Sequence, residues 1–522
     1  MRQGPLAGRY PAAAAMVIFA LVPYLVLSAA LGAITPIIAR QLHMSLQAMS
    51  LTSGMANAGY AVGTVLAVQF AQHLRQRRML LVYGALLVIG SLLAAAAADP
   101  AMFIAGHVLQ GLCTSLLLIA AVPPLVTGYS VEKMRITVVI MNMCVFGAVA
   151  LGPVLGGVQA SAHAWRPLFW VIAGISVIAL ALSVLTFEDD PPANPSAPRD
   201  WMGVALATAG PVAAFFGASE LLTHRFLAAT TFLPLIGGLA LIVTLFVHQY
   251  RTPRPLLCVR SLASTIPVAG ILIAICAAAA SGSAIALTEN LLAPRFAPLH
   301  LGLLYLPEFG GAVITAVGFG IVFRTRLLHY YAMAGLLFLA AGVAIMAVVA
   351  PPTAALTAVG SGLVGIGVGA SVTPALFLVG FSLRSNNLQR VFAIIELVRA
   401  TAAFMIAPVL LHFALTIASH PSAGTSTALW ICFGLSVGGA VLGASLYVLG
   451  GVRPLAPSLE RWRSGEEPAW ESPPLLARIR RGPTGRPVEE PERPADEPLT
   501  SALPDRARSS TGAQSTGARI EP

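Results

Sequence analysis

Long apolar runs, separated by short polar segments, repeat along nearly the whole of this 522-residue chain. Cutting the sequence at charged positions and Gly/Pro clusters leaves about fourteen runs, and each is long enough to cross a hydrocarbon core of about 30 Å as an α-helix. The runs span residues 12–39, 51–70, 79–98, 102–127, 136–158, 167–185, 201–222, 226–246, 266–287, 299–323, 331–349, 354–379, 391–418 and 428–449. The pattern predicts an all-α integral membrane protein with about 14 transmembrane helices.

Basic residues concentrate in alternate loops between these runs. One set of loops holds Arg2, Arg9, Arg75, Arg77, Arg78, Lys133, Arg135, Arg199, Arg251, Arg254, Arg260, Arg324, Arg326, Arg384 and Arg390, whereas the other set holds Arg40, Arg166, Arg225 and Arg295. By the positive-inside rule the first set is cytoplasmic, which predicts that both termini lie inside the cell. The net charge of +10 therefore reflects membrane topology and an Arg-rich tail, and it needs no nucleic acid partner.

A weak internal repeat of about 250 residues predicts the domain organisation, since parallel halves of this kind are a transporter architecture with a substrate site near the midplane. Gly152-Pro153-Val154-Leu155 is echoed by Ala407-Pro408-Val409-Leu410, and Arg77 and Arg78 are echoed by Arg324 and Arg326. We expect six-helix bundles at 1–187 and 251–450, with a Pro-rich linker and two inserted helices at 188–250 between them. The polar residues 451–522 predict a disordered cytoplasmic tail.

Composition excludes most other classes of protein. With 57% hydrophobic residues, 10% charged residues and a mean hydropathy of +0.82, the chain is unlike a soluble domain. Its five cysteines form no CxxC pair, and there is no Walker loop, so we expect no metal site, no cofactor, no ATP-driven step and no enzyme activity. The preference for Arg over Lys and the abundance of Ala indicate a GC-rich bacterial source and hence a plasma membrane.

The fifth apolar run carries the sequence GAVALGPVLGG from Gly147. Ala148, Gly152 and Gly156 recur every four residues, so they share one helix face on which a second backbone can approach closely. Pro153 adds a bend, because it removes a backbone donor that neighbouring helices must replace. Together with Gly157, these residues predict a kinked helix that acts as a contact and pivot between two moving parts. Ordinary close helix packing is the alternative interpretation.

Several motifs give the chain a specific resemblance over residues 12–449. They are Gly152-Pro153-x-x-Gly156-Gly157, Trp165-Arg166-x-x-Phe169, Asp200-Trp201-x-Gly203 and Pro298-Leu299-x-x-Gly302-Leu303-x-x-Leu306-Pro307. In these motifs the chain resembles the major facilitator superfamily, in particular its fourteen-helix drug:proton antiporter branch. The resemblance implies two six-helix bundles plus two inserted helices, and export of drug-like or antibiotic-like amphipathic molecules in exchange for protons. We expect a monomer whose partners are a small-molecule substrate, protons and membrane lipid.

The chain departs from this family at three positions that matter for mechanism. Leu27 lies where the family has an acidic residue in the first helix, and the usual G-x-L-A-D-R-x-G-R-R loop keeps only its basic end at Arg77 and Arg78. In the fourth helix His107 replaces the arginine of R-x-x-Q-G. These departures favour a second hypothesis, namely a facilitator, an uptake carrier or a transporter-derived membrane sensor.

Ionisable groups inside a bilayer are costly, so the few that are present are candidates for function. Glu308, in the tenth run, is either a protonatable cavity carboxylate or a structural acid near Pro307. Glu396 and Arg399 are spaced i,i+3 on the thirteenth helix, where they form a buried ion pair or a gate that opens on protonation of Glu396 and frees Arg399 for a substrate.

Other polar positions in the apolar runs are weaker candidates for the cavity. His107 is a proton-relay candidate, with a hydrogen-bonded structural role as the alternative, and Gln110 shares its helix. Glu289 and Glu220 lie near outer helix ends and are cavity or interfacial residues. The uncharged positions that we expect to reach the cavity are Tyr24, Asn57, Tyr60, Asn142 and Tyr305.

Overall fold

The computed structural model describes residues 3–186, 188, 191–417 and 420–480, and the membrane part of this region is helical. The helices are α1 Tyr10–Gln41, α2 Leu46–His73, α3 Gln76–Ala95, α4 Pro100–Thr127, α5 Val131–Ser161, α6 Arg166–Thr186, α7 Trp201–Glu220, α8 Ala229–Arg251, α9 Thr265–Leu292, α10 Pro298–Val322, α11 Leu328–Val348, α12 Ala354–Phe381, α13 Leu388–Ile417 and α14 Pro421–Gly450. Within α5, Met143–Gly147 forms a π-helical turn, and Tyr305 interrupts α10.

The predicted membrane-spanning helices are confirmed. Thirteen of the helices are long and apolar enough to cross a bilayer. The remaining helix, α2, has 28 residues but a more polar sequence that includes Asn57, Gln69 and Gln72. Most helices extend slightly beyond the predicted apolar runs, because polar residues also form helix ends: Ser45 caps α2 by accepting a hydrogen bond from the amide of Ala48.

The helices pack in three groups. The first contains α1 to α6, with α2 and α3 on α4, and α1 on α5 and α6. The second contains α9 to α14, with α12 on α10 and α11, and α9 on α12, α13 and α14. The two bundles meet where α2 packs on α13 and α5 packs on α10, whereas α7 and α8 pack on each other and α7 lies against α2 and α13.

The two ends of the bundle differ in charge. One end carries the first residues of the chain and the loops with Arg75, Lys133 and Arg324, and we call it the basic side. The other end, which carries Arg225 and Arg295, is the opposite side. The loop positions therefore follow the alternation from which the membrane topology was predicted.

The expectation of disorder from residue 451 onward is wrong for residues 451–480. A short helix, Leu459–Ser464, buries Trp462 completely against Phe381, and the Trp462 indole donates to the carbonyl of Leu383 at 2.8 Å. The amide of Thr265 donates to the carbonyl of Pro473 at 3.0 Å. A few large apolar residues anchor this segment. The average composition of residues 451–522 is polar and does not indicate these anchors. Residues 481–522 lie outside the described residues.

This C-terminal segment, residues 451–480, also contacts both bundles. Trp470 packs on Phe381 in the second bundle, and its indole donates to Leu455 of the segment itself. Arg463 reaches the first bundle and donates to the carbonyl of Tyr129 at 3.0 Å. The segment therefore bridges the bundles on the basic side.

We predict that Trp462→Ala releases the C-terminal segment while the membrane helices stay folded. Loss of the buried ring and its hydrogen bonds favours local opening, which trypsin detects as cleavage at Arg461 and Arg463. Cleavage is expected to accelerate at least about tenfold, equivalent to about 1.4 kcal/mol. Leu455→Ala is the control, because Leu455 is 62% exposed. Equal cleavage rates in the two variants would show that Trp462 does not anchor the segment.

Candidate functional site

The fifth-helix motif is approached closely by two other helices. A side chain at Gly152 or Gly156 would overlap the backbone of Ala29 or Ala30 in α1. A side chain at Gly157 would overlap the carbonyl of Pro298 in α10. The motif therefore contacts one helix of its own bundle and one helix of the other bundle.

The contacts refine the predicted role of the small-residue face. Gly152 and Gly156 contact α1 within the first bundle, and Ala148 on the same face is buried. The contact across the bundles belongs to Gly157, one residue further round the helix, and to Pro153, whose carbonyl lies against Gly302 of α10. The pivot function stays a prediction, and its contact with the second bundle lies on the neighbouring face.

A buried ion pair lies where α13 meets α2. The Nη2 atom of Arg399 and the Oε2 atom of Glu396 are 2.6 Å apart, and the two residues are 5% and 6% exposed. Tyr60 of α2 donates to the same carboxylate oxygen at 3.1 Å. The i,i+3 spacing correctly predicted the pair. It did not predict that a tyrosine from the other bundle completes it.

The polar contacts continue from Tyr60 into the first bundle. The rings of Tyr60 and Tyr24 stack with centroids 6.0 Å apart, and the Tyr24 hydroxyl donates to Oδ1 of Asn57 at 2.8 Å. All three residues are among the uncharged positions that the sequence predicts to reach the cavity. The structure places them on adjacent faces of α1 and α2, next to the ion pair.

His107 and Gln110 of α4 extend this polar cluster. The His107 ring lies 5.8 Å from the Tyr24 ring, and its Nδ1 atom lies 3.2 Å from Oε1 of Gln110. Gln110 in turn donates to Ser91 of α3 at 3.2 Å. Since the Gln110 amide nitrogen faces Ser91, its oxygen faces His107, and in this arrangement the Nδ1 atom of His107 carries the proton. The hydrogen-bonded position of His107 is compatible with both predicted roles, a proton relay and a structural residue.

A second polar group lies in the other bundle. Glu308 is 7% exposed near the start of Leu306–Val322, and its charge interacts with that of Glu289 on α9. Tyr305, three residues before Glu308, donates through its hydroxyl to Thr288, the residue before Glu289, at 3.0 Å, which brings these parts of α9 and α10 together. Among the described residues, neither acid forms an ion pair with Arg, Lys or His. Glu289 is therefore part of the same acidic group as Glu308.

Asn142 occupies an unusual position next to the π-helical turn of α5. The residue is fully buried, and among the described residues neither polar atom of its side chain has a hydrogen-bond partner. Its Nδ2 atom lies beside Gly369 of α12, so it faces the second bundle. A buried amide without a partner costs about 1–3 kcal/mol, which a ligand hydrogen bond can recover.

The bundles touch on both sides of these polar groups. On the basic side Gln389 of α13 donates to the carbonyl of Ile119 in α4 at 3.1 Å. On the opposite side the amide of Leu299 donates to Ser161 of α5 at 3.2 Å. The bundles are thus in contact on both sides of the ion pair, whose two residues are buried.

The remaining motif residues hold loops and helix ends. Trp165 donates to Gln41 at 2.8 Å, and Arg166 donates to the carbonyl of Ala97 at 2.8 Å, which ties the start of α6 to α1 and to the end of α3. Arg77 and Arg78 lie in the first turn of α3, where Arg77 has interaction partners. Glu220 accepts hydrogen bonds from Gln47 and is buried at the end of α7. These residues lie away from the ion pair and stabilise the fold.

Asp200 caps α7 on the basic side. Its carboxylate accepts a hydrogen bond from the amide of Gly203 at 2.8 Å and from the side chain of Gln249 at 2.5 Å, and His248 Nε2 lies 3.1 Å away. Burial acts to raise the pKa of Asp200, but these hydrogen bonds and the charge of His248 outweigh it, so the pKa is lowered. Asp200 is therefore ionised near neutral pH.

We predict a pH-dependent contribution of Asp200 to stability. Since its folded-state pKa is lowered, the stabilisation is complete above the unfolded-state pKa and is lost as the pH falls through the folded-state pKa. Asp200→Asn keeps a capping oxygen but removes the charge. We expect this variant to melt below the wild type at pH 7, with the difference vanishing in acid. A melting-temperature difference that is the same at neutral and acid pH would contradict this assignment.

Comparisons with known proteins agree with this architecture. Residues 16–325 match the family model described as Major Facilitator Superfamily. A multidrug resistance protein B homologue of Mycobacterium tuberculosis (strain ATCC 25618 / H37Rv) is 29% identical over 294 residues, which cover 55% of this chain and 54% of that protein. The MFS-type transporter YubD of Bacillus subtilis (strain 168) is 26% identical over 236 residues, which cover 44% of this chain and 46% of that protein.

These alignments span about half the length of each relative. A crystal structure of a peptide transporter, POT, superposes with a TM-score of 0.57 at 15% identity and covers 84% of this chain and 94% of the transporter. At that identity the superposition shows a shared fold.

Proposed function

Because the chain belongs to the Major Facilitator Superfamily, we propose that it is a secondary active exporter of amphipathic small molecules, driven by protons and working by alternating access. The family makes it a multi-pass membrane transporter rather than an enzyme. Drug-like or antibiotic-like substrates and protons are its proposed partners. We further propose that it works as a monomer in the plasma membrane, with its basic side facing the cytoplasm.

The observation that carries this proposal is the buried ion pair of α13 that accepts a hydrogen bond from α2. Tyr60 contributes from the first bundle, and Glu396 and Arg399 contribute from the second. Alternating access requires that the bundles separate at one end and stay together at the other. A hydrogen bond between the bundles that ends on a charged group supports this motion, since protonation of Glu396 weakens its attraction to Arg399 and frees Arg399 to meet an anionic group of a substrate.

The acidic group of the second bundle supports proton coupling. A carboxylate in an apolar bundle with no basic partner can bind and release a proton during a transport cycle. Glu308 and Glu289 have this environment among the described residues, and their mutual repulsion makes the charge of one depend on that of the other. His107, held between Tyr24 and Gln110, is the proposed proton carrier of the first bundle.

Four uncharged polar groups are the proposed substrate contacts. Asn142 offers an amide whose hydrogen bonds are unfilled among the described residues. Gln110, Tyr24 and Tyr305 have partners that a substrate would have to share or displace. The outward direction and the drug-like class of substrate follow the name of the mycobacterial relative, a multidrug resistance protein homologue.

Transport measured in proteoliposomes with an imposed pH gradient tests the proposal. We expect wild-type protein to accumulate a fluorescent amphipathic substrate that carries an anionic group against its gradient and to move protons in exchange. Glu308→Gln should lose the pH-driven accumulation and keep downhill flux, because Gln cannot exchange a proton. Glu220→Gln is the control, since Glu220 lies at the outer end of α7 and bonds Gln47. Substrate flux in the wild type without proton movement would contradict coupling.

Two departures from the family pattern favour a second candidate, a carrier without proton antiport. Leu27 is fully buried in α1 where the family has a carboxylate, and Arg77 and Arg78 are what remains of the usual charged loop. A facilitator or uptake carrier would equilibrate substrate down its gradient and ignore the pH difference. A membrane sensor would transport neither substrate nor protons. The same proteoliposomes therefore distinguish an antiporter, a facilitator or uptake carrier, and a sensor.

A further inference from the structure

A groove lies between the two inserted helices at their basic-side ends, apart from the transport site. It is an open groove of about 460 Å³ between the beginning of α7 and the end of α8. Met202 and Leu206 form one wall, and Val247, His248 and Arg251 form the other. Met202 and Val247 are partly open to the membrane side, with 57% and 43% exposure, so the groove is accessible from outside the bundle.

The lining changes character along the groove. Leu206 and Thr244 lie one to two helical turns from the ends of their helices, roughly 8–10 Å along the helix axes. His248, Arg251 and Thr252 lie at the mouth of the groove. The groove therefore has apolar residues at its inner end and basic residues at its mouth. A phospholipid has its acyl chain and its phosphate in the same arrangement.

The mouth carries excess positive charge. Arg251 lines the mouth, and Arg254 and Arg199 are one and three residues along the chain from the lining residues Pro253 and Met202. All three arginines are exposed, and among the described residues none of them forms an ion pair. Arg199 lies over the ring of Trp201 at 6.0 Å, at the level where aromatic side chains meet lipid headgroups. The nearby carboxylate of Asp200 already accepts hydrogen bonds from Gly203 and Gln249. The mouth therefore has cationic donors available and suits an anion.

We propose that this groove binds an anionic phospholipid from the leaflet on the basic side. Arg251 and Arg254 hold the phosphate, and one acyl chain lies along Leu206 and Val247. Basic pockets between membrane helices on the cytoplasmic side bind anionic headgroups in this manner. Lipid binding at this groove depends on its charge and shape alone and is independent of the transport activity.

The bound lipid would stabilise the attachment of the inserted helices to the first bundle. His248 at the groove lies 3.1 Å from Asp200, and the backbone amide of Asp200 donates to Gln69 of α2 at 3.4 Å. These contacts connect the mouth of the groove to α2. A lipid that holds the ends of α7 and α8 together therefore also orders the junction with α2.

Lipid titration of the purified full-length chain in a neutral detergent tests this site. Phosphatidylglycerol should raise the melting temperature of the wild type more than phosphatidylcholine does. In the double variant Arg251→Ala with Arg254→Ala, we expect phosphatidylglycerol to bind roughly 10- to 30-fold more weakly. The matched control is Arg225→Ala with Arg295→Ala, which removes the same charge from exposed positions on the opposite side and should keep the wild-type preference.

Two further arms identify the ligand. Val247→Trp fills the groove without changing its charge and should also weaken binding of phosphatidylglycerol, because the acyl chain loses its place. Inorganic phosphate should give little stabilisation at the same concentration. The proposal is overturned if the two double variants lose the lipid preference equally, if neither loses it, if Val247→Trp binds like the wild type, or if phosphate alone reproduces the stabilisation.

Discussion

Arg399→Ala is expected to destabilise the folded protein by about 3–5 kcal/mol and to abolish transport. The Nη2 atom of Arg399 lies 2.6 Å from the Oε2 atom of Glu396. Removal of the guanidinium therefore leaves this carboxylate buried without its cation. The remaining hydrogen bond from Tyr60 does not compensate a buried charge. Thermal unfolding in detergent measures the loss of stability, and flux in proteoliposomes measures the loss of activity.

Two controls separate the charge from the packing in this prediction. Tyr60→Phe removes the hydroxyl that donates to Glu396 and accepts from Arg399, keeps both charges paired, and should cost only about 1.5–3 kcal/mol. The double variant Glu396→Gln with Arg399→Met removes both charges and should recover much of the stability lost in Arg399→Ala, because no buried charge remains unpaired. If Arg399→Ala is as stable as Tyr60→Phe, the ion pair does not have the assigned role.

The second large effect is expected at the close contact between α1 and α5. In Gly156→Val the new side chain overlaps the backbone of Ala30, and neither helix backbone can move without disturbing the bundle. We expect a loss of at least about 3 kcal/mol and little properly folded protein. The yield of monodisperse protein and its melting temperature measure this effect.

Gly174→Val is the matched control for the glycine contact. Gly174 also lies within a membrane helix, α6, but no atom lies near the position that its side chain would occupy. This variant carries the same helix-propensity change without the overlap, so it should fold with nearly wild-type stability. Equal losses in the two variants would show that helix propensity, rather than close packing, explains the glycine at position 156.

Much of the fold could be predicted from the sequence because a bilayer imposes strict requirements. Each crossing segment must be long, apolar and helical, so run length and loop charge locate the helices without knowledge of their packing. The helix α2, predicted from the run 51–70, is more polar than the other thirteen, since Asn57 and Gln69 lower its hydropathy while their hydrogen-bond partners lie inside the protein.

The candidate site was predictable only where it depends on neighbours along one helix. Glu396 and Arg399 are such neighbours, and their spacing correctly predicted the pair. Tyr60 reaches them from a helix more than 300 positions earlier, and Glu289 and Glu308 approach each other from separate helices. These relations depend on the rotation of each helix about its axis, which the nearly uniform hydrophobicity of the membrane helices does not determine.

The order of the C-terminal segment could not be predicted from the sequence, for a different physical reason. Its average composition from residue 451 onward is polar and rich in Pro and Arg, which is typical of disorder. Trp462 and Trp470 nevertheless find apolar surface and backbone acceptors at the basic-side ends of the membrane helices. Two aromatic anchors suffice to order a short segment when a folded surface already exists beside it.

The central claim of this account is that the two bundles open alternately on the two sides of the buried ion pair. Spin labels in a cysteine-free background can report both ends, with one pair at Lys133 and Arg326 on the basic side and another at Ala162 and His300 on the opposite side. All four positions are exposed. Distance distributions are measured in acid and alkaline buffers for the wild type and for Glu308→Gln.

Alternating access predicts opposite changes in the two pairs of the wild type. When the labels on the basic side move apart, those on the opposite side should approach, and the change of pH should shift the balance between the two states. Glu308→Gln should hold one distribution at both pH values. Distances that are unchanged by pH in the wild type, or that increase together on both sides, would contradict the account.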